Sequence, residues 1–367
     1  MPWYNDLRPE KDHHKQEFAL VFPDMTDGER ARCIRRLLGL RQYLEEQIIV
    51  KRNDKNLLIA SWNIKEFGQI RDRLPESYFY IAEIISKFDL IAIQEVKNSL
   101  QDLQVVKRLL GDDWSYLIND ITEGAGGNSE RFAYLFDKRR VEFSGLAGEI
   151  VLWDEITNPS TLKQLKRTPY ITGFTAGWKS FAIINVHLNP NNSKENRQIR
   201  RLEIQALVDV LREKLRKNRL WTENLLLMGD FNLYSNNEEM VKILRDFGFI
   251  ELEALKGQPT NVSDTQSYDK IFFLENKYFT IPDEGGRGGV LKFFNSIYRE
   301  EDYAEYKTYM LAHKEAPATL DSERAFRVYF ERYWRRYQVS DHYPIWMELL
   351  IDSSDEFLQE KLRAYEK

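Results

Sequence analysis

Short apolar runs and polar clusters alternate along the chain from residue 57 onward. Four apolar runs, LLIASW, LIAI, FAIINV and LLLM, are followed directly by NIKEF, QEVKN, HLNPNN and GDFN. Apolar runs without strict alternation of polar and apolar positions are typical of strands buried on both faces. The pattern therefore predicts a β-sheet that is covered by helices.

Segments with helical periodicity lie between these strands. Their apolar residues recur every three or four positions, as expected for helices with one buried face. Strands that alternate with helices indicate an α/β (α+β) layer architecture, and long chains of this class often divide their strands between two packed sheets. The predicted helices span residues 77–87, 100–110, 194–217 and 238–247. Further strands are predicted at residues 131–137, 272–274 and 343–351.

A long helix is predicted before the first strand, from Thr26 to about Val50. Thr26 is a suitable N-cap, and Glu29 completes a capping box. An apolar face of this helix must pack against another part of the chain, most simply the edge of the main domain. The residues of that face are Ile34, Leu37, Leu38, Leu40, Tyr43 and Leu44.

The changes in sequence pattern predict four regions. Residues 1–56 form an N-terminal helical extension, and residues 57–351 form the main domain. Residues 277–338 are aromatic, charged and mainly helical by pattern, and we interpret them as an insertion before the last strand. Residues 352–367 form a C-terminal tail.

Composition limits the class of protein. With 367 residues, 43% of them hydrophobic, the chain can bury a substantial core. Cys33 is the only cysteine, which excludes an intramolecular disulfide and argues against a thiolate zinc site. The first residues carry charges of both signs, and no apolar run approaches the roughly 18 residues of a membrane span. We therefore predict a cytoplasmic protein that does not bind membranes.

Charge bears on the possible partners. The formal net charge of -5 gives no global attraction for a polyanion, so nucleic-acid binding must depend on local basic patches and bound metal. Residues 194–219 contain nine Lys or Arg against four Asp or Glu, and residues 324–336 contain five Arg against one Glu. In the second patch aromatic residues are interleaved with the arginines, a composition that could hold a phosphate backbone while stacking bases. The alternative is that the aromatics are core and the arginines a solvated face.

Carboxylate and amide side chains stand where the predicted strands end. Asn63 and Glu95 each follow an apolar run, and Asp230 and Asn232 lie two residues apart after another run. Hydrolysis of a phosphodiester requires a metal to neutralise the phosphate, a base to activate water, and donors to the phosphoryl oxygens. Mg²⁺ binds carboxylate and amide oxygens together with water. Each of these residues alone is also explained by a turn or a solvated strand end.

Two of the five histidines lie at strand boundaries. His187 ends the run FAIINVH, and His342 directly follows Asp341. Because side chains of adjacent residues diverge, Asp341 is free for a metal while His342 needs another carboxylate to orient its imidazole. Asp269 is a candidate for that carboxylate. A lone histidine is more often structural than catalytic.

Seven short segments carry a resemblance to a known family. In chain order they are NIKEF, IQEV, RFAYLFD, NVHLN, GDFN, YDKI and SDHYP. In these residues and their order the chain resembles the deoxyribonuclease-I-like endonuclease/exonuclease/phosphatase superfamily, from about Leu57 to Leu350. The resemblance implies a four-layer sandwich of two packed mixed β-sheets flanked by helices, with the active site at the common edge of the sheets. The N-terminal extension and the insertion depart from the family pattern.

The resemblance also implies which residues bind the metal and the substrate. Glu95 would be the principal ligand of Mg²⁺ or Mn²⁺, with Asn63 and Asp341 completing or flanking the site. Arg131 would contact the phosphate. Tyr134, on the same strand, would face either the site or the core.

Catalytic roles follow from the same resemblance. His342, oriented by Asp269, would act as general base or assist the water. Asp230 and Asn232 would orient the attacking water or the phosphate, and could hold a second metal. His187 would donate to a phosphoryl oxygen or stabilise the leaving group.

The implied activity is that of a nuclease that hydrolyses DNA, with RNA as an alternative. A phosphatase or phosphodiesterase acting on a small phosphorylated substrate remains open, because the same constellation serves both. A non-catalytic nucleic-acid-binding or scaffold protein on the same fold would be expected to lose the motif residues, and these are present. The extension and the insertion could also serve self-association or bind a protein partner.

Overall fold

Two β-sheets packed face to face form the centre of the protein, and helices cover their outer faces. The computed structural model describes residues 2–15, 20–68, 72–121, 129–153, 162–234, 238–279, 281–282, 287–313, 316–317 and 320–366. The predicted α/β sandwich of two mixed sheets is therefore confirmed.

The described strands and helices follow the chain in a largely alternating order. The strands are β1 (Asn56–Phe67), β2 (Leu90–Val96), β3 (Trp114–Ile118), β4 (Arg131–Asp137), β5 (Glu142–Glu149), β6 (Tyr170–Ala176), β7 (Lys179–His187), β8 (Leu225–Asp230), β9 (Phe249–Glu251), β10 (Asp269–Leu274), β11 (Gly288–Val290) and β12 (Ile345–Leu350). The α-helices are α1 (Asp27–Gln47), α2 (Pro75–Ser86), α3 (Gln101–Leu110), α4 (Lys194–Arg216), α5 (Glu238–Phe247), α6 (Lys307–Ala312), α7 (Glu323–Tyr329), α8 (Arg335–Gln338) and α9 (Ser354–Tyr365). A π-helix (Phe330–Trp334) joins α7 to α8.

Each sheet has six strands and one parallel pair. The first sheet has the order β11-β12-β1-β2-β4-β3, and the second has the order β5-β6-β7-β8-β10-β9. β1 runs parallel to β2, and β7 runs parallel to β8, whereas their outer neighbours are antiparallel. The carboxyl ends of the four parallel strands and the starts of β4, β10 and β12 therefore belong to the same ends of the sheets.

Alternate residues of each central strand enter different buried clusters. Leu57 and Ile59 of β1 belong to the cluster between the sheets, together with Met228 of β8. Leu58 and Ala60 belong to the cluster beneath the helices. Because successive side chains of a strand point to opposite faces, both faces are buried and the sequence of the strand is a continuous apolar run.

The second sheet is covered by α4 and α5. Leu207 and Leu211 of α4 are buried in one cluster with Leu227 of β8 and Leu244 of α5. Two apolar residues one helical turn apart give α4 the stripe that packs on the sheet. Among the described residues, no helix has both the length and the apolar composition needed to cross a bilayer.

The helix α1 belongs to the layer that covers the first sheet. Its N-cap Thr26 and its capping box with Glu29 are as predicted. The predicted apolar face was wrong at two positions, because Ile34 is 38% exposed and Leu38 is 64% exposed. The buried stripe keeps three of the predicted residues, has Cys33 in place of Ile34, and recurs every three or four positions. Its members are Arg30, Cys33, Leu37, Leu40 and Leu44.

The N-terminal extension and the insertion contact each other. The Arg32 guanidinium of α1 lies 2.8 Å from the carboxylate of Glu76 in α2 and 5.0 Å from the ring centroid of Tyr306. Arg36, one turn later, pairs with Asp302 at 2.8 Å. Since Tyr306 and Asp302 both belong to the segment after β10, the extension packs against the insertion around α2.

The predicted insertion, residues 277–338, consists mainly of short helices in its described part. Phe330 and Trp334 are buried, whereas Tyr333 between them is 55% exposed. The guanidinium of Arg335 lies 4.7 Å from the ring centroid of Phe294. Most aromatics of this patch are therefore core, as in the second alternative, and Tyr333 is exposed to solvent. Binding of a phosphate backbone by the patch stays a prediction.

Elements that the sequence pattern did not predict lie mostly at the edges of the fold. The strand β5, with the sequence EFSGLAGE, has six exposed residues of eight and no apolar run. The terminal helix α9 buries none of its residues. A pattern that depends on burial is weak where an element is solvated on most sides, which accounts for β5 and α9. The strands β3, β9, β11 and the buried β6 were also missed.

Candidate active site

Polar ends of the central strands meet at one edge of the sandwich. Within the second sheet, His187 of β7 and Asp269 of β10 both pair in register with Asp230 of β8. Asn63 of β1 and Glu95 of β2 stand at the corresponding ends in the first sheet. Within each sheet, the carboxyl end of a parallel strand and the start of its antiparallel neighbour lie at the same edge. Since the two sheets are packed face to face, side chains from these edges can meet across them.

His342 lies between two carboxylates of this edge. Its Nδ1 is 2.9 Å from Oδ2 of Asp269, and its Nε2 is 3.8 Å from Oδ2 of Asp230. The hydroxyl of Thr260 donates to the same Asp269 oxygen at 2.6 Å. Burial alone would lower the pKa of His342, but Asp269, Asp230 and Asp341 raise it well above its usual value. The imidazole is thus oriented by Asp269 and strongly basic.

Asn63 joins the two sheets at the centre of the site. Its side-chain Nδ2 donates to Oε1 of Glu95 at 3.1 Å and to Oδ2 of Asp230 at 3.0 Å. The second oxygen of Glu95 accepts the backbone N–H of Glu66 at 3.0 Å. Two carboxylates, one from each sheet, therefore converge on one buried amide.

The backbone around Glu95 departs from regular strand geometry. Glu95 has a φ of 61°, in the left-handed region that side chains other than glycine seldom adopt. The pairing of β2 with both neighbours shifts register at this point. An irregularity of this kind re-aims a side chain relative to the sheet. Local strain of this type is concentrated at functional sites.

The close approach of β7 and β8 beside Asp230 requires a glycine. A Cβ atom on Gly229 would lie 2.0 Å from the carbonyl oxygen of Val186, and the residue has a φ of 141°. Only glycine tolerates both conditions. The glycine of the GDFN motif thus allows β7 to bring His187 next to Asp230.

His187 faces a carboxylate that the motifs did not single out. Its Nδ1 is 3.1 Å from Oε2 of Glu130, and its Nε2 is 3.5 Å from Oδ2 of Asp230. Arg167 donates to Glu130 from Nε at 2.5 Å, and Lys97 Nζ donates to it at 3.2 Å. Burial alone would raise the pKa of Glu130, but His187 and Arg167 hold it well below its usual range.

Asp341 lies at the opposite side of the site, with a lysine. Its Oδ2 is 3.2 Å from Nζ of Lys65, and that ammonium lies 5.2 Å from the ring centroid of Tyr337. Burial would raise the pKa of Asp341, but Lys65 lowers it, followed by His342. Asp341 is therefore an anion that is paired with Lys65 of β1.

Asn232 and Arg131 occupy the border of the site. The backbone N–H of Asn232 donates to Oδ1 of Asp230 at 2.8 Å, and its side chain donates to the carbonyl of Leu188 at 3.0 Å. Asn232 thus ties the GDFN turn to the loop after His187. Arg131 pairs in the sheet with Val96, beside Glu95. Its Nε is buried and has no hydrogen-bond partner within the described part of the chain.

Tyr134 lies in the core and not at the site. Its side chain is fully buried between the sheets, and its hydroxyl lies 2.9 Å from the carbonyl oxygens of Tyr170 and Ile183. Phe174 packs edge-on against its ring at a centroid distance of 5.5 Å. Of the two orientations that the sequence left open, the structure has the one facing the core. The prediction that Tyr134 contacts the substrate was therefore wrong, because its side chain is buried between the sheets.

The donors of the site fit a hard divalent cation. Oδ1 of Asn63 is buried without a hydrogen-bond partner among the described residues. One group of ligand atoms, from Glu95, Glu130 and His187, lies within 4.8 Å, and a second, from Asp230, Asp269 and His342, is equally compact. Carboxylate and amide oxygens with one or two imidazoles suit Mg²⁺ or Mn²⁺.

Several residues of the site were not found from the sequence. Glu130 and Lys97 carry the same signal as the predicted residues, since each flanks a strand of the first sheet at this edge. Arg167 and Lys65 have no comparable pattern. A buried amide pair, Gln94 Nε2 to Asn185 Oδ1 at 2.6 Å, also joins the sheets here. Its members looked like ordinary positions within apolar strands.

A comparison with protein families gives a match over much of this fold. The profile described as Endonuclease/Exonuclease/phosphatase family matches residues 60–273, which is more than half of the 367-residue chain. This chain belongs to the Endonuclease/Exonuclease/phosphatase family. Asn63, Glu95, His187 and Asp230 lie within the matched residues. His342 lies beyond them, and its position beside Asp269 and Asp230 is seen in the structure.

Curated relatives and solved structures agree with the family assignment. Deoxyribonuclease-1 of Homo sapiens is 30% identical over 206 residues, covering 53% of this chain and 65% of that protein. The match thus spans slightly less than two thirds of the human protein's length.

Two solved structures share the fold of this family member. A functionally unknown conserved protein from Enterococcus faecalis V583 has a TM-score of 0.50 at 18% identity, covering 80% of this chain and 99% of that chain. A mannosyl-6-phosphatase from Bacteroides thetaiotaomicron VPI-5482 has a TM-score of 0.50 at 17% identity, with coverages of 80% and 99%. At these identities the likeness concerns the fold alone.

Proposed function

We propose that this chain is a divalent-metal-dependent phosphodiester hydrolase, and specifically a nuclease that cleaves DNA. The observation that supports this most directly is the convergence at the sheet edge: His342 held between Asp269 and Asp230, with Asn63 joining Asp230 to Glu95. The likeness to deoxyribonuclease-1 favours a nucleic-acid substrate over a small phosphoester.

The proposed metal site comprises Glu95, Asn63 and Asp341, with Asp230 bordering it. When bound there, Mg²⁺ or Mn²⁺ would neutralise the phosphate and offset the carboxylates that make His342 strongly basic. A cation binds an amide through its oxygen, so Asn63 would have to present Oδ1 to it. In this structure its Nδ2 faces both carboxylates.

The protein's own groups then have separate tasks in water attack. His342 takes a proton from the water at Nε2, while Asp269 holds Nδ1 protonated and fixes the ring plane. His187, oriented by Glu130 on one side, directs Nε2 toward the Asp230 side of the site, where it can donate to a phosphoryl or leaving oxygen. Asn232 fixes the turn that carries Asp230.

The compartment and the assembly of the protein stay proposals. A cytoplasmic location is proposed from the lone cysteine, which is buried. Self-association through residues 1–56 would not use the apolar stripe of α1, because that stripe is buried within the chain. The division of the chain into extension, catalytic domain, insertion and tail likewise stays our proposal.

The proposal is tested by incubating the purified protein with plasmid, linear duplex, single-stranded DNA and RNA, each with Mg²⁺ or with chelator. We expect cleavage of DNA that depends on the cation. Cleavage that persists in chelator would contradict the mechanism. If none of the four nucleic acids is cleaved, a small phosphorylated substrate becomes the better hypothesis. If small phosphoesters are not hydrolysed either, a non-catalytic binding protein on the same fold is favoured.

A further inference from the structure

A groove lies between the loop of residues 260–264 and the end of the insertion. It has a volume of about 1060 Å³, and Arg332, Tyr333 and Arg336 contribute to its lining. This volume is slightly above the range found for ligand sites, about 300–1,000 Å³. Its walls are polar and charged, so an extended charged ligand fits it better than an apolar one.

Two residues of the groove's wall are next to the segment that carries Asp341 and His342. The N–H of Val262, in its wall, donates to the carbonyl of Asp341 at 2.9 Å. Tyr343, also in the wall, directly follows His342. On the other wall, Arg336 donates to the Ser263 hydroxyl at 3.1 Å. The groove therefore borders the segment of the chain that carries His342.

Tyr333 lines this groove. Its ring stacks on the ring of buried Tyr329, at a centroid distance of 6.0 Å and an angle of 25°. Its neighbours Phe330 and Trp334 are buried, which anchors the backbone while Tyr333 stays 55% exposed. All three lie in the π-helix, a rare geometry that is frequent at functional sites. A fixed, half-exposed ring is a suitable platform for a base.

Two arginines flank that ring. Arg332 is exposed, and Arg336 is partly buried with an Nε that has no hydrogen-bond partner among the described residues. Neither forms an ion pair with a carboxylate within the described ranges. Guanidinium groups with free donors are suited to phosphate oxygens.

The carboxylates of the groove are largely neutralised. Asp264 pairs with Lys292 at 2.7 Å, and Glu301 pairs with Arg299 at 3.0 Å. Glu331 also lines the groove, with no ion pair among the residues that the structure describes. The unpaired guanidinium groups therefore outnumber the unpaired carboxylate around Tyr333.

We propose that this groove binds a single-stranded nucleic-acid segment flanking the scissile phosphodiester, with Tyr333 stacking on a base and Arg332 and Arg336 contacting backbone phosphates. A single strand is required because the bases of a duplex are stacked on each other and offer no free face. The proposal deepens the proposed function, on which it rests. It also assigns the insertion a role in substrate choice.

The test measures binding separately from hydrolysis. Fluorescence anisotropy with a labelled single-stranded oligodeoxynucleotide, in chelator, gives the dissociation constant of the wild type and of Tyr333→Ala. We expect the variant to bind about tenfold more weakly, the size of one lost base stack. Tyr365→Ala, which changes a 90% exposed tyrosine on α9, is the matched control and should bind like the wild type.

The arginines have a separate signature in the salt dependence. Arg332→Ala and Arg336→Ala should each lower the slope of log affinity against log salt by about one phosphate contact, near 0.7 for a single strand. Unchanged single-strand affinity in Tyr333→Ala would overturn the proposal. It would also be overturned if a duplex of the same sequence bound as tightly and lost the same factor in that variant.

Separate measurements can refute the proposed groove and the proposed hydrolytic activity. A small reporter diester, bis(p-nitrophenyl) phosphate, is too short to occupy the groove, so its hydrolysis by the wild type with Mg²⁺ measures the proposed activity separately from single-strand binding. If the wild type hydrolyses no diester but binds the single strand through Tyr333, the proposed function is wrong and the groove stands. If the reporter is hydrolysed while single-strand binding ignores Tyr333, the reverse holds.

Discussion

Nδ1 of His342 lies 2.9 Å from Oδ2 of Asp269, although 73 residues separate the two in the chain. The Thr260 hydroxyl donates to the same carboxylate oxygen and leaves it no freedom to turn away. The ring therefore presents Nε2 toward Asp230 in a single orientation. An imidazole held in this way is prepared for proton transfer at one nitrogen only.

Changing His342 to Ala should lower the turnover of plasmid DNA by roughly 10² to 10⁴, the contribution of a lost acid or base. Asp269→Asn should lower it in the same direction, because the amide no longer holds the tautomer. Steady-state kinetics with Mg²⁺ measures both. Asp209→Asn, on the outer face of α4, is the control and should keep full turnover. An undiminished rate in His342→Ala would refute its role.

Glu95→Gln should weaken binding of the divalent cation, because one charged oxygen pair is lost from the proposed metal site. The measurement is thermal unfolding with increasing Mg²⁺ or Mn²⁺. For the wild type, a cation at a hundred times its dissociation constant should stabilise the fold by about 2.7 kcal/mol. The variant should need a higher concentration for the same shift.

Glu142→Gln, at the far end of β5, serves as the control for the cation experiment and should match the wild type. Equal shifts in Glu95→Gln and in the wild type would exclude Glu95 as a ligand. Chelator should abolish both the shift and the nuclease activity.

Glu130→Ala should destabilise the fold by about 3–5 kcal/mol, since it leaves Arg167 and Lys97 buried without their common carboxylate. Denaturant unfolding at neutral pH measures this. Glu213→Ala, at the surface of α4, should cause no measurable change. A stability equal to that of the wild type would show that the two cations find other partners.

The effect of Glu130→Ala should also depend on pH. The pKa of Glu130 is lowered in the folded protein, so its stabilisation is fully present above the ordinary glutamate pKa of about 4.3. It is lost as the pH falls further, through the lowered value. The difference between variant and wild type should therefore shrink in acid, and a constant difference would contradict the assignment.

Leu40→Ala should cost about 2–5 kcal/mol, because Leu40 is fully buried between α1 and the rest of its layer. Leu38→Ala, two residues earlier and 64% exposed, is the matched control and should be close to neutral. Similar losses in both variants would mean that α1 packs with a different face.

The packing of α1 decides how self-association can be tested. Deletion of residues 1–56 would expose the partners of Leu40, so we expect the truncated chain to aggregate. Leu38→Asp leaves the buried stripe intact and is the better variant. If the wild type elutes as a dimer in size-exclusion chromatography, the variant should elute as a monomer; a dimer in both would exclude this face.

The layered fold could be predicted from the sequence because a strand buried on both faces leaves a local mark. Apolar runs such as LLIASW and LLLM need no knowledge of their neighbours to be recognised. The polar residues after these runs mark the ends of the strands, and this was enough to name Asn63, Glu95 and Asp230, whereas His342 stands just before the last run. These residues could be named individually, but their distances could not.

Only the tertiary structure decided which side chains act together and which face of an element is buried. Glu130 joins His187, Arg167 and Lys97 only because strands distant in sequence end at one edge. Tyr134 lies in the core because alternation along a strand offers two faces, and the packing of the second sheet selects between them. Local pattern records whether a position is buried, whereas its partners depend on contacts between distant parts of the chain.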